Sequence, residues 1–573
     1  MRDASLEGLS DELILEIIKH LSFIESSSYY QGNNATAKIL FGLGRCSHRF
    51  YGLVLPFAYS HIYQSEGNKC SIFLCRILES PALATYVKSL TLTSESSWEE
   101  ETSGSCDRNS AIASWDEGEL SRVRIAIEEA SQSSKDAIDW FSEFKKGTWD
   151  AWIAVLLSRL PNLEVLDIHQ VYGMMDYDTQ PWLLKFLTKA AKLQNTSSSS
   201  VLALNKLREV SIYQEEESPI KSIEARAFLN LQSVKTFAAH PLDGEDINWE
   251  DDSYRFATTD LTFSFDYVYD EPRLAPGLRP LARLLRCFPS LERLNVDRQD
   301  GSLSISQAHV TDFMQIMSHL QDTLKELHLC AINSPESSIG SLADFEKLKT
   351  LSVAPSLLTG SALDTNTGLP YANIMMESLP RALEHLNFWN ITQQEAPSII
   401  ALIQNKDNYT PWLRSLTLQW VKIRYPDEKK NPHPLSEVLF KHPGFTREQA
   451  CDLWQYCQAK NVEIVTKVQS PPTKFVAWPY NKEIPKFLPK GTTASREHGA
   501  YGKYSQPVFN FPWPYDGFED FVKEQGYDIN VEPTNVQEWG TYGENGAGMG
   551  PSWDRLQKSL EVERIALGYY LDN

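Results

Sequence analysis

Leu383-Glu384-His385-Leu386-Asn387-Phe388 and Leu413-Arg414-Ser415-Leu416-Thr417-Leu418 follow one rule, with apolar residues at the first, fourth and sixth places. The fourth and sixth alternate with polar neighbours, the two-residue period of a strand with one buried face. The same rule is written at Val87-x-x-Leu90-x-Leu92, Leu163-x-x-Leu166-x-Ile168, Leu207-x-x-Val210-x-Ile212, Leu291-x-x-Leu294-x-Val296, Leu324-x-x-Leu327-x-Leu329 and Leu348-x-x-Leu351-x-Val353. It is shortened at Val234-x-x-Phe237 and Leu261-x-Phe263, and Val462-Glu463-Ile464-Val465 reads as a last strand. From Leu207 onward the steps between units run from 24 to 35 residues. Helix-like text such as Leu281 to Pro289 or Phe313 to Leu320 stands before several strands.

Helix and strand therefore alternate, and a short strand cannot bury its own aliphatics, so each unit must stack on the next. The expectation is an α/β fold in which these segments of 63–466 are successive parallel strands. An ordinary α/β domain would alternate similarly, with fewer, longer and more continuously apolar strands. In its grammar this region resembles the leucine-rich repeats, whose strand signature is L-x-x-L-x-L and whose period is about 20 to 29 residues. The resemblance implies an irregular leucine-rich-repeat-like solenoid. Side chains next to the buried aliphatics would then face the opposite, concave side: Asp167, His169, Glu209, Ser211, Tyr213, Arg293, Asn295, Asp297, Glu326 and His328. Farther along, His385, Asn387, Trp389, Thr417 and Gln419 fall in the same phase and are the candidate target-binding residues, with Trp389 as aromatic anchor. The bland reading of Trp389 is that the aromatic C-terminal stretch caps it.

Two regions break the rule. Residues 94–147 form an acid- and serine-rich insert, including Glu99-Glu100-Glu101, read as a loop with one or two solvated helices. Residues 467–573 are rich in proline, glycine and aromatics, as in Phe511-Pro512-Trp513-Pro514-Tyr515, and read as an irregular extension closing the apolar end of the last repeats. A short helix is expected there from Ser552 to Leu567.

At the other end, residues 1–62 read as a small helical domain. In Leu9-Ser10-Asp11-Glu12-Leu13-Ile14-Leu15-Glu16-Ile17-Ile18-Lys19-His20-Leu21, Ser10 can cap a helix, acids follow in its first turn, and Leu9 can staple onto Ile14. Leu13, Ile14, Ile17, Ile18 and Leu21 form a stripe that something must cover. Leu43, Cys46, Phe50, Leu53 and Val54 keep the same period up to Pro56, which is expected to end their helix.

These residues, with Cys46-Ser47-His48-Arg49-Phe50, resemble an F-box, over about the first tenth of the chain. The sequence begins Leu9-Ser10 where the family has Leu-Pro, and it carries a loop-forming insert from Ser22 to Ala37. The exit through Phe57 to Tyr63 resembles that of fungal-type F-box proteins. What the resemblance implies is a substrate-recognition subunit of an SCF-type cullin–RING ubiquitin ligase. Leu9, Leu13, Ile17, Ile18, Leu21, Cys46 and Phe50 match the family's contacts to the Skp-type adaptor, which links to a cullin. A scaffold rather than an enzyme is implied, with a protein target. The other readings are an F-box protein acting outside a ligase and an enzyme with an F-box-like terminus, which would need a pocket of converging titratable groups within 86–466.

Composition narrows the partners. The 573 residues carry 75 acids and 54 bases, a formal charge of −21, which disfavours nucleic acid and anionic membrane surfaces. Eight cysteines without CxxC pairs suit reduced thiols, and no apolar run reaches membrane-spanning length. The expectation is a cytoplasmic and/or nuclear protein. No P-loop, dinucleotide fingerprint, His-Glu-x-x-His or nucleophile elbow is present. His433, His442, Cys451 and Cys457 have spacings that match no common zinc module, so neither metal nor cofactor is expected.

Overall fold

The computed structural model describes residues 8–23, 39–64, 67–93, 115–169, 181–196, 200–214, 220–242, 255–265, 284–297, 317–329, 338–359, 371–389, 391, 395–421, 445, 447–469, 493–497 and 506–511. The fold is α/β with parallel strands, and the chain divides into two compact units, essentially 1–333 and 334–573.

The first unit opens with helices α1 (Asp11–Phe23) and α2 (His48–Ala58). Strand β1 (His61–Gln64), helix α3 (Gly67–Glu79) and strand β2 (Ser89–Thr93) follow. Three helices, α4 (Glu117–Ala130), α5 (Ser134–Lys145) and α6 (Trp149–Leu157), lead into β3 (Val165–His169). Helix α7 (Trp182–Asn195) connects to β4 (Glu209–Tyr213), and α8 (Ser222–Leu229) connects to β5 (Thr236–Leu242). Strands β6 (Asp260–Phe265), β7 (Arg293–Asp297) and β8 (Glu326–Leu329) complete the described part.

Each of these eight described strands pairs in parallel with its sequence neighbours. Register aligns equivalent apolar residues into rows. Leu90, Leu166, Val210, Phe237, Leu261, Leu294 and Leu327 make one row, and Leu92, Ile168, Ile212, Ala239, Phe263, Val296 and Leu329 the next, all buried. Leu163, Leu207, Val234, Leu291 and Leu324, the first residues of their units, are buried at the turns before the strands. A backbone ladder joins those turns. Glu164 N–H donates to Lys88 O, Arg208 to Glu164, Lys235 to Arg208, Thr259 to Lys235, Glu292 to Thr259 and Lys325 to Glu292, at 2.7–2.8 Å. Backbone groups that stacking would strand away from water are thereby paired.

In the second unit β9 (Thr350–Val353), β10 (His385–Trp389), β11 (Ser415–Val421) and β12 (Glu463–Gln469) are parallel and again in sequence order. Helices α9 (Tyr371–Ser378), α10 (Ala396–Gln404) and α11 (Arg447–Ala459) lie between them in sequence and pack side by side.

Three expectations need correction. The described helices of the insert are not solvated ones. Asp116 closes a capping box with Glu119 at the start of α4, and Val123, Ala126, Ile127 and Ala130 then bury one face. Helix α5 buries Ala137, Trp140 and Phe144. Trp140 stacks on Trp182 at 5.7 Å and donates to Ala151 O, while Phe144 stacks on Trp152 at 4.3 Å. The acidic text conceals an i, i+3, i+4 apolar stripe that the neighbouring helices cover. The C-terminal extension is not wholly irregular. Strand β14 (Gln506–Phe511) pairs antiparallel with β12, and β13 (Thr493–Glu497) pairs antiparallel with β14, so the free edge of the last parallel strand is paired. Finally, α2 runs through Pro56 to Ala58, because the missing proline N–H removes one helical bond while Tyr59 N–H still reaches Leu55 O. The helix expected at Ser552 to Leu567 lies outside the described residues.

Candidate interaction surfaces

The first surface is built on α1 and α2. Helix α1 begins after Ser10, whose carbonyl accepts from Ile14 N–H, and Ser47 caps α2 by accepting from Phe50 N–H at 3.2 Å. Arg49 joins the two helix starts: its Nε donates to Asp11 Oδ1 at 2.7 Å and Nη2 to Leu9 O at 2.6 Å. Ile14, Ile18, Leu40, Phe50, Val54 and Ala58 form the small core beneath, with Leu9, Leu43, Leu53, Phe57 and Tyr59 packed against it.

This core divides the seven expected adaptor contacts. Ile18 and Phe50 face inward and hold the helices together, which corrects their placement on the surface. Leu13 and Ile17 stay 55% and 40% exposed, Cys46 is exposed with its Sγ donating to Gly42 O, and Leu9 is half-buried. Leu21 belongs to α1, but its side chain lies outside the described residues. Ile39, Phe41 and Tyr51 are also exposed, and the sequence reading missed them. The signal was the width of the stripe on α1. Ile14 and Ile18 form one i, i+4 ridge, and Leu13 and Ile17 form the ridge about 100° round from it, more than one small core can cover.

The second surface is the strand face opposite the aliphatic rows. Alternation holds: β10 shows His385 exposed, Leu386 buried, Asn387 half-buried, Phe388 buried and Trp389 half-buried. His385 Nδ1 lies 2.7 Å from Ser415 Oγ, and Asn387 Nδ2 donates to Ser352 Oγ at 3.0 Å. The Trp389 indole N–H also donates to Ser352 Oγ, and Ser352 is fully buried. Trp389 thus offers part of its ring outward while its polar edge holds β10 to β9. Thr417 is half-buried on β11, and the side chain of Gln419 lies outside the described residues.

On the corresponding strand face of the first unit, taken by itself, the expected receptor residues Asp167 and His169 are buried, not open. Thr91 Oγ1 donates to Asp167 Oδ2 at 3.3 Å, Ser211 also hydrogen-bonds this carboxylate, and burial pushes its pKa up to about 6. His169, Tyr213 and His240 occupy one register row, with ring centroids 4.6 and 5.1 Å apart and planes within 9° of parallel. His240 Nδ1 lies 3.1 Å from Ser264 Oγ. Burial, with His169 beside it, pushes the His240 pKa down to about 3 and keeps the ring neutral. Titratable groups converge here, with Asp167, His169 and His240 buried and Tyr213 half-buried, and their described partners lie on neighbouring strands. The reading missed His240, although His169, Tyr213, His240 and Trp389 all stand six residues after the first apolar residue of their units.

Among the described residues no group of three or more histidine, cysteine or acidic side chains could hold a metal ion. His433 and His442 lie outside them, as does the Cys451 side chain, while Cys457 is buried on α11 with its thiol pushed up to about 12. No described helix is long and apolar enough to cross a membrane. No family model matches the chain, and no curated protein matches it.

Proposed function

We propose that this chain is the substrate-recognition subunit of an SCF-type cullin–RING ubiquitin ligase. Its F-box-like helices dock the Skp-type adaptor and through it a cullin, and its leucine-rich-repeat-like region takes a protein target. It works as a scaffold in the cytoplasm or nucleus and not as an enzyme. The observation that carries the reading is the exposed ridge Leu13 and Ile17 beside the core ridge Ile14 and Ile18, with Ile39, Phe41, Tyr51 and Cys46 also exposed on the same helical cluster. Five of the eleven large apolar side chains exposed among the described residues fall between positions 13 and 51, a concentration that suits a permanent partner better than solvent.

The repeat reading is supported by the sequential parallel order of the strands in each unit and by their aligned aliphatic rows. For the target, His385, Thr417 and Trp389 of the second unit keep accessible surface, whereas Asp167, His169 and His240 of the first unit do not. Affinity purification of the full chain tests the proposal. The adaptor and a cullin should be recovered together; recovery of the adaptor without a cullin would favour an F-box protein acting outside a ligase, and recovery of neither would overturn the reading.

A further inference from the structure

We draw no further inference here: the strongest candidate, the polar cluster of Asp167, His169, Tyr213 and His240 on strands β3 to β5 of the first unit, carries nothing because its hydrogen bonds and ring stacking join neighbouring strands to one another and nothing there points to a ligand.

Discussion

Changing Leu13 and Ile17 together to Asp separates docking from folding. Both side chains belong to the exposed ridge of α1, at 55% and 40% exposure, whereas Ile14 and Ile18 are 2% and 0% exposed. Covering the exposed half of such a side chain on a partner is worth about 1 kcal/mol, since burying a whole one is worth about 1.5–3 kcal/mol. The double change removes that gain twice. It also sets two carboxylates against an apolar surface, each costing at least as much as a buried neutral polar group, about 1–3 kcal/mol on protein mutational scales. The sum is about 4–8 kcal/mol, roughly a thousandfold or more in affinity. Titration calorimetry of the purified full chain with the Skp-type adaptor reads this directly. Circular dichroism should show native helix content in the L13D/I17D variant, while I14D/I18D should unfold the helical cluster. A folded L13D/I17D chain that binds the adaptor within a few-fold of the unsubstituted protein would refute the reasoning.

Five further outcomes are expected. Leu327→Ala should cost roughly 2–5 kcal/mol in denaturant unfolding of the first unit, by leaving a core cavity, and Glu326→Ala should stay within about 0.5 kcal/mol; equal effects would place Leu327 outside the core. Asp167→Asn should stabilise the first unit near pH 8. The folded pKa of about 6 lies above the usual 3.8, so the charged form is disfavoured and its penalty, up to about 3 kcal/mol, appears as pH rises from 4 through 6. The gain in melting temperature should vanish near pH 4, and a variant less stable at pH 8 would contradict the desolvation argument. His240 acts with the opposite sign. Its folded pKa of about 3 lies below the ordinary 6.5, so stability is fully present above pH 6.5 and falls as pH drops toward 3, by up to about 5 kcal/mol; His240→Gln should flatten that acid limb in pH-resolved melting curves. Trp389→Phe keeps a ring but loses the bond to Ser352, and should cost about 1 kcal/mol in the second unit. Trp389→Ala should lose target capture while keeping the adaptor; intact capture with new protease cleavage in the C-terminal extension would make Trp389 purely structural.

The positions of the strands were legible because alternation and leucine spacing are local properties of the text. Leu386 and Phe388, or Leu416 and Leu418, declare a strand and its buried face without reference to anything distant. The start of α1 at Asp11 was legible for the same reason, since a cap and first-turn acids act within a few residues. Exposure was not, because it depends on what lies opposite. Leu13 and Ile14 are adjacent and equally apolar, yet only Ile14 meets the Leu40 to Val54 side of the helical cluster. Trp140 and Phe144 look solvated until Trp182 and Trp152 stack on them. Asp167 and His169 carry the polar signature of a receptor face, yet both are buried, Asp167 bonded to Thr91 from 76 residues earlier and His169 stacked on Tyr213 from the next strand. The C-terminal stretch carries no strand period that announces β14, which is specified by the unpaired edge of β12 that it joins. The sequence by itself determined where the parallel strands lie and which side of each is apolar; the tertiary structure alone decided which apolar and polar faces remain in water, because burial depends on contacts between residues far apart in the chain.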